Sequence, residues 1–447
     1  MIAIIGAGPA GLAAARAIAL AGSAVTIIDA AQKPGGQYWR HRNTVDGYKA
    51  TRSEKYFSVL RDNALVSYIN GAQVWSATRS ENSVDINYLQ SGVEKTLTCT
   101  ELILTTGAYD RSLPFTGWDK PGSMTPGAGQ ALLKGHGVIA GKSIVISGTG
   151  PFLLPVAVGL AAGGAKVEGV FEANSPLRWL RSPLALLLNP EKALELLYYL
   201  KQFKRYSIPV RFGKAVTEFT GHSVRISDVN SDMTIKKANV QEIECNVIAA
   251  GWGFVPDITL GGILGCNQVV DKDGTVIFST DHQQRSSVSN IWIAGEATGI
   301  GGSDLAISEG HIAGLSVIGK RIPISLLFSR YRRKLFARAL QVSYPVNPGW
   351  KKWLNRETLI CRCEEVTCGQ ILDSVEELKA EDARTSKLFT RAGMGLCQGR
   401  ICSRNVAEII GESKELSVSD SERIAYSNRP IAAPISLGTL GDGITSK

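Results

Sequence analysis

The chain has 447 residues, of which 44% are apolar and 20% charged, with a formal net charge of +9 at pH 7. That length holds two to three domains, and the balance is that of an ordinary soluble globular protein. The charge is modest and no nucleic-acid motif accompanies it, which excludes nucleic-acid binding as the function.

Met1 to Ile5 reads as a short apolar strand, leaving no room for a secretory leader ahead of it. It runs into Gly6-Ala7-Gly8-Pro9-Ala10-Gly11, an Ala-rich helix, a second strand from Ala24 to Ile28, and Asp29. Strand, glycine turn, helix, strand and acid make a dinucleotide-binding βαβ unit. Gly6 permits the tight turn. Gly8 leaves space for a pyrophosphate against the backbone N–H groups at the helix N-terminus, where Pro9 and Ala10 complete the cradle. Gly11 lets helix and strand pack closely, and Asp29 is placed to accept hydrogen bonds from a ribose diol. In Pro34-Gly35-Gly36-Gln37, two glycines allow the backbone to approach a ligand. Val84 to Leu89 alternates as a strand. Leu102 to Ala108 is an apolar strand ending in small residues, with Thr106 and Gly107 beside the nucleotide. Three prolines (Pro114, Pro121, Pro126) and four glycines between 117 and 129 mark a linker.

A second unit opens at Ser143–Ser147, turns through Gly148-Thr149-Gly150-Pro151-Phe152-Leu153, continues as a helix to about Ala162, and returns as a strand ending at Glu172. Its nucleotide contacts are expected at Gly148, Gly150 and Glu172. Leu153 stands where the third glycine belongs and forces helix and strand apart, so this site binds a nucleotide poorly, binds a different one, or is empty. The apolar run from Ser143 to Ala165 is broken by glycines and prolines and is no membrane span. Residues 183 to 205 form an expected amphipathic helix whose stripe (Leu184, Leu186, Leu187, Leu188, Leu194, Leu197) packs on the core or on a partner protein. The strand from Val247 to Ala250, ending in Gly251-Trp252-Gly253, leaves the second domain. The strand at Asn290–Ala294 ends in Gly295-Glu296 and is followed by Gly301, Gly302 and a helix from about Ser303 to Ile318. A carboxylate at Glu296 reaches the ribityl and pyrophosphate region of a flavin, and the helix N-terminus at Gly302 favours negative charge on the reduced ring. Basic residues then gather at Arg330, Arg332, Arg333, Lys334, Arg338, Lys351 and Lys352, beside Trp350 and Trp353, a face for an acidic partner or a membrane surface.

Five of the eight cysteines fall between Cys361 and Cys402. Cys361-Arg362-Cys363 is followed after thirty-three residues by Cys397-Gln398-Gly399-Arg400-Ile401-Cys402. Four thiolates from two short loops suit an iron–sulfur cluster or zinc, and the tight C-x-C pair favours the [2Fe-2S] cluster over a zinc ribbon. A redox disulfide within Cys397–Cys402 is the third option. Cys368, Cys99, Cys245 and Cys266 read as buried structural thiols. The five histidines stand in no acid–base constellation, so no catalytic residue is assigned.

Together these motifs resemble the alpha subunits of heteromeric flavin dehydrogenases: the A chain of opine oxidase, the alpha chains of D-hydroxyproline, L-proline dehydrogenase and sarcosine oxidase, and the B chain of hydrogen cyanide synthase. The motifs that carry the likeness are Gly6-x-Gly8-x-x-Gly11, Pro34-Gly35-Gly36-Gln37, Gly148-Thr149-Gly150-Pro151, Gly295-Glu296, and the tail from Cys361-Arg362-Cys363 to Gly393-Met394-Gly395-x-Cys397 and Cys402. The tail is similar to the bacterioferritin-associated ferredoxin domain, with C-x₄-C in place of its C-x₂-C. The resemblance implies an α/β fold of two nested Rossmann-like domains, as in glutathione reductase, plus a small C-terminal [2Fe-2S] domain. The expected boundaries are 1–116 and 280–330 for an FAD domain, 117–279 for the inserted nucleotide domain, 331–356 for a basic linker, 357–415 for the cluster domain and 416–447 for a tail. It further implies FAD, a [2Fe-2S] cluster, FMN at a subunit interface and a second nucleotide, ATP or NAD(P). The implied partners are a beta subunit resembling D-amino-acid oxidases and a small ferredoxin-like gamma subunit. The implied setting is the cytoplasm, with peripheral contact to the inner membrane or to an electron acceptor. The competing expectations are a self-contained NAD(P)H oxidoreductase and a scaffold whose cofactors are structural.

Overall fold

Ile2–Ile5 contains no polar residue, as befits a parallel strand covered on both faces. In the computed structural model, which describes residues 1–41 and 47–445, it pairs in parallel with Val25–Ile28 on one side and Glu101–Leu104 on the other. The sheet has five strands in the order Ile291–Ile293, Glu101–Leu104, Ile2–Ile5, Val25–Ile28, Val66–Ile69. Strand order reverses between Ile2–Ile5 and Glu101–Leu104, the crevice where ligands bind in such sheets. The Pro9–Leu20 helix starts directly after Gly8, since Pro9 presets φ at the first helical position and has no N–H to leave unpaired. The Ser303–Val317 helix packs backbone to backbone on it. A Cβ on Gly310 would lie 2.1 Å from Ala10 O, and one on Gly314 2.5 Å from Ala14 O.

The chain forms two compact units. One comprises Met1–Ala108, Pro256–Ala337 and Asn428–Lys447; the other comprises Tyr109–Val255 and Arg338–Ser427. The second repeats the plan of the first, with parallel strands in the order Ser123–Met124, Val247–Gly251, Ser143–Gly148, Lys166–Glu172, Val210–Phe212. Each unit adds a three-stranded antiparallel sheet: Ala72–Arg79, Val84–Gln90 and Val93–Cys99 in the first, Lys214–Phe219, Ser223–Val229 and Ile235–Glu244 in the second.

Three expectations are corrected. The linker at 117–129 contains an edge strand, Ser123–Met124, and a helix, Pro126–Ala131, which Thr125 caps and Pro126 opens at its first position. The helix at 183–205 is two helices, Pro183–Leu187 and Glu191–Arg205, because Pro190 breaks the backbone hydrogen bonding between them. Of its leucine stripe, Leu184, Leu186, Leu187, Leu194 and Leu197 are exposed and Leu188 is half-buried, and only Tyr199 and Phe203 of the longer helix enter the core. The basic segment is also partly inward-facing. Arg330 pairs with Glu309 at 3.4 Å, Arg333 donates to Asp304 O at 2.7 Å, and Lys351 pairs with Glu412 at 2.6 Å. Among the described residues no helix is long and apolar enough to cross a membrane.

The cysteine-rich segment belongs to the second unit. A hairpin of Leu359–Cys361 and Val366–Thr367 leads into Cys368–Glu376, a helix begun by a capping box of Thr367 and Gln370. Helices Ala383–Thr390 and Ser403–Ser413 follow. The segment is tied to the inserted domain by hydrogen bonds from Trp118 Nε1 to Leu359 O at 2.6 Å and from Asn405 Nδ2 to Ser112 O at 3.1 Å. Beside them Glu408 meets Arg404 at 2.8 Å, Arg111 at 3.5 Å and Arg423 at 3.9 Å, all of them largely buried. Burial raises the Glu408 pKa, but Arg111, Arg404 and Arg423 overcome it and bring it down to about 2. Glu408→Gln removes the carboxylate that three guanidiniums share and is expected to cost about 3–5 kcal/mol in a denaturant melt. Because the folded pKa is depressed, this contribution is intact above the ordinary carboxylate range. It fades as pH falls toward about 2, so the gap between wild type and variant should close on acidification.

Candidate functional site

The glycine turn of the first unit is held from beneath by Thr105, whose hydroxyl donates to Ile5 O at 2.9 Å and Gly6 O at 2.8 Å. Gly6 has φ +104°, and a Cβ on it would lie 2.4 Å from Thr105 O. A Cβ on Gly11 would lie 1.9 Å from Gly6 O. Both glycines are therefore demanded by the chain itself. Gly8 differs: a Cβ there meets nothing within 4 Å. Nothing in the chain itself demands a glycine here, as is expected if a pyrophosphate rests on this helix N-terminus. Gly35 N–H donates to Ala7 O at 2.8 Å, and Gly36 packs on Gly8, so the Pro34–Gln37 loop walls the turn. Asp29 accepts from the N–H groups of Ala7 and Ala31, so it braces the turn and keeps further lone pairs for a ligand. Burial pushes its pKa up against those hydrogen bonds. Gly107 and Gly302 both have positive φ with open space at the Cβ position, whereas Thr106 turns to its own chain and donates to Asp257 O.

Glu296 is held by the backbone of its own loop. Its carboxylate accepts from Gly302 N–H at 2.8 Å and Gly301 N–H at 3.2 Å, the two residues that lead into the Ser303–Val317 helix. Burial raises its pKa to about 7. Glu309, which the sequence did not bring forward, accepts from Gly295 N–H at 3.0 Å and from Thr298 at 2.8 Å. It fixes the loop that carries Glu296. The cradle fits a dinucleotide: a Cβ on Gly8, Gly107 or Gly302 would meet open space, and Gly8 stands directly ahead of the Pro9–Leu20 helix.

The second glycine turn is self-engaged. Glu172 is buried and accepts from Thr149 Oγ1 at 2.6 Å, Gly150 N–H at 2.8 Å and Asn174 N–H at 2.9 Å. Asn174 in turn donates to Thr149 Oγ1 and to Pro345 O, and Trp179 Nε1 donates to Tyr344 OH at 3.1 Å. The acid that would hold a ribose is thus locked into a network of the chain's own groups, which burial accompanies with a pKa of about 7. Leu153 is buried in the core here, and the helix starts at Leu153 itself, two residues later than its counterpart at Pro9. Gly148 and Gly150 keep positive φ, and Gly150 has open space before it.

The four cysteines come together. The Cys402 sulfur is in hydrogen-bond contact with those of Cys361 and Cys397, and Cys397 with that of Cys363. Backbone N–H groups of Gly393, Glu364 and Cys363 point at Cys361, those of Ile401 and Gly399 at Cys397, and that of Cys397 at Cys363. Hydrogen bonding to Cys402 draws the pKa of Cys361 down to about 6 and that of Cys397 down to about 5, while Cys402 itself is pushed far up. Four thiols in contact, with N–H groups directed at three of the sulfurs, are the donor chemistry of a [2Fe-2S] cluster. Cys368 is buried at the start of its helix and takes no part in these contacts. Cys363 is exposed, as is Leu396 next to Cys397, so this edge of the site faces outward.

Comparison with known proteins agrees with this geometry. The pyridine nucleotide-disulphide oxidoreductase family matches residues 1–313, and the BFD-like [2Fe-2S] binding domain matches residues 359–412. Hydrogen cyanide synthase subunit HcnB of Pseudomonas aeruginosa is 32% identical over 89% of this chain and 90% of its own length. The A chain of opine oxidase from Rhizobium meliloti is 31% identical over 98% of each. The crystal structure of L-proline dehydrogenase from P. horikoshii shares the fold, with a TM-score of 0.67 and 19% identity over 98% of this chain and 78% of that one. The chain belongs to the pyridine nucleotide-disulphide oxidoreductases, as an FAD-dependent relative of HcnB and of the opine oxidase A chain that carries a BFD-like [2Fe-2S] domain.

Proposed function

We propose that this chain is the electron-relaying alpha subunit of a heteromeric dehydrogenase or oxidase that removes hydride from a C–N bond of an amino acid, imino acid or opine. The observation that carries the reading is the pairing, in one chain, of an open dinucleotide cradle and a four-thiol site with a second nucleotide turn whose acid, Glu172, is bound to the chain's own backbone. When bound, FAD supplies two-electron acceptance and the [2Fe-2S] cluster single-electron transfer. The chain's part is to position them. Gly6, Gly8, Pro9, Ala10, Gly11, Asp29, Gly35, Gly36, Gln37, Thr106, Gly107, Gly295, Glu296 and Gly302 form the flavin surround; Cys361, Cys363, Cys397 and Cys402 are the ligands to iron. The N–H groups that point at the sulfurs stabilise negative charge there and so raise the reduction potential.

The names of the relatives support a partnered enzyme, since HcnB, the opine oxidase A chain and the sarcosine oxidase alpha chain are each named as one subunit of their enzyme. In this reading a beta subunit resembling D-amino-acid oxidases carries the substrate chemistry, FMN sits at the subunit interface, and a small ferredoxin-like gamma subunit completes the complex. A quinone or cytochrome-type acceptor takes the electrons, and the assembly works in the cytoplasm.

A self-contained NAD(P)H oxidoreductase is the second reading, favoured by the open space at Gly150. Anaerobic titration separates the two. Stoichiometric NADH or NADPH should leave the flavin absorbance unchanged, whereas the amino-acid substrate with the assembled complex should bleach it. Rapid full bleaching by NADPH would overturn the relay reading.

A further inference from the structure

Each cysteine pair encloses an arginine. Arg362 is the single residue between Cys361 and Cys363, and Arg400 lies between Cys397 and Cys402. Both guanidiniums are anchored. The central carbon of the Arg362 guanidinium stands 5.2 Å from the centroid of the Trp118 ring, a cation–π contact. Trp118 is a rigid platform for it: the ring is buried, and its Nε1 donates to Leu359 O, on the strand that delivers Cys361. Arg400 Nη1 donates to Cys397 O at 3.3 Å, so this side chain folds back on its own ligand loop.

The acids of the first loop leave this charge in place. Glu364 is paired with Arg391 at 2.9 Å, and Glu365 is exposed. Among the described residues Arg362 has no carboxylate partner. Four thiolates and two sulfides outweigh the charge of two ferric ions, so a [2Fe-2S] cluster held here is an anion before it accepts an electron and a more highly charged one afterwards. A fixed cation beside it therefore stabilises the reduced state more than the oxidised one. The backbone N–H groups directed at the sulfurs act in the same sense with partial charges; each guanidinium adds a full one.

We propose that Arg362, seated on Trp118, and Arg400, tied to Cys397 O, set the reduction potential of the cluster by holding positive charge at its two ligand loops. The inference rests on the reading of the four cysteines as iron ligands and deepens it, naming the side chains that make this site the better electron acceptor. All of these residues lie in the same compact unit.

The test is anaerobic redox titration of the full chain with flavin and cluster bound. The EPR signal of the reduced cluster is followed against potential, and iron and acid-labile sulfide are measured on the same samples. Arg362→Gln should shift the reduction equilibrium against the cluster by roughly threefold to tenfold, a midpoint lower by about 30–60 mV at about 59 mV per tenfold for one electron. Arg362→Lys keeps the charge and should recover much of that loss. Arg400→Gln should lower the midpoint likewise, and the double variant by roughly the two shifts together. In about 1 M salt, where the screening length is about 3 Å, the gap between wild type and Arg362→Gln should narrow, because Arg362 is exposed. A midpoint in Arg362→Gln equal to or above that of wild type, with iron retained, overturns the inference and leaves the cluster assignment standing. So does a drop that Arg362→Lys does not reduce or that salt does not narrow. Iron lost from both glutamine variants also overturns it, since the arginines would then hold the loops and not the potential. Wild type without iron and sulfide overturns the cluster assignment itself, and the inference with it.

Discussion

Gly8→Val should yield a folded protein that carries no flavin. Gly8 has φ −75°, which any residue adopts, and a Cβ on it meets nothing of the chain within 4 Å. The variant therefore loses only the helix-cap preference for glycine over valine, on the order of 1 kcal/mol. Its branched side chain instead fills the space before the helix N-terminus, where a pyrophosphate must approach backbone N–H groups. The ratio of flavin to protein absorbance should fall by roughly tenfold or more, while the flavin-free melting temperatures of variant and wild type stay close. Gly11→Val is the contrasting control. Its Cβ would lie 1.9 Å from Gly6 O, so it should lower the yield of folded protein as well. Full flavin occupancy in Gly8→Val would move the cofactor away from this turn.

The second large effect is expected from Cys397→Ser. Cys397 is in contact with both Cys402 and Cys363, and hydrogen bonding to Cys402 draws its pKa down, favouring the thiolate that binds iron. A serine hydroxyl does not ionise there and is a poor ligand for iron. Iron and acid-labile sulfide should drop to background, with the visible absorbance of the cluster lost. The flavin should remain, because the cradle is built from the other compact unit. Cys368→Ser is the matched control: Cys368 is buried outside the thiol contacts, so it should cost some stability and leave iron content unchanged. Equal iron content in both variants would mean that the quartet is not the binding site.

Much of this architecture was legible in the sequence because it rests on periodicity and glycine. Short apolar runs ending in Gly-x-Gly located both parallel sheets, and Cys-x-Cys with Cys-x₄-Cys located the thiol site. What escaped was set by tertiary contact. Thr105 lies one residue before Thr106 and looks the same in sequence; only the fold shows that Thr105 bonds the glycine turn while Thr106 faces Asp257. Glu309 lay unnoticed within a helix, although Gly310 and Gly314 beside it were a readable signal of close helix packing. The leucines at 184–197 have the stripe of a buried helix, and periodicity alone does not tell which face of a stripe finds a partner. The prolines at 121 and 126 read as a linker, yet proline at a first helical position starts a helix as readily as it ends one.

The locking of Glu172 also bears on how this protein can change. Thr149, Gly150 and Asn174 all converge on one carboxylate, and Asn174 reaches on to Pro345. A ribose that sought Glu172 would compete with three hydrogen bonds the chain already makes to that carboxylate. Single substitutions at Thr149 or Asn174 are therefore expected not to create NADH or NADPH binding, as anaerobic titration of the flavin would show.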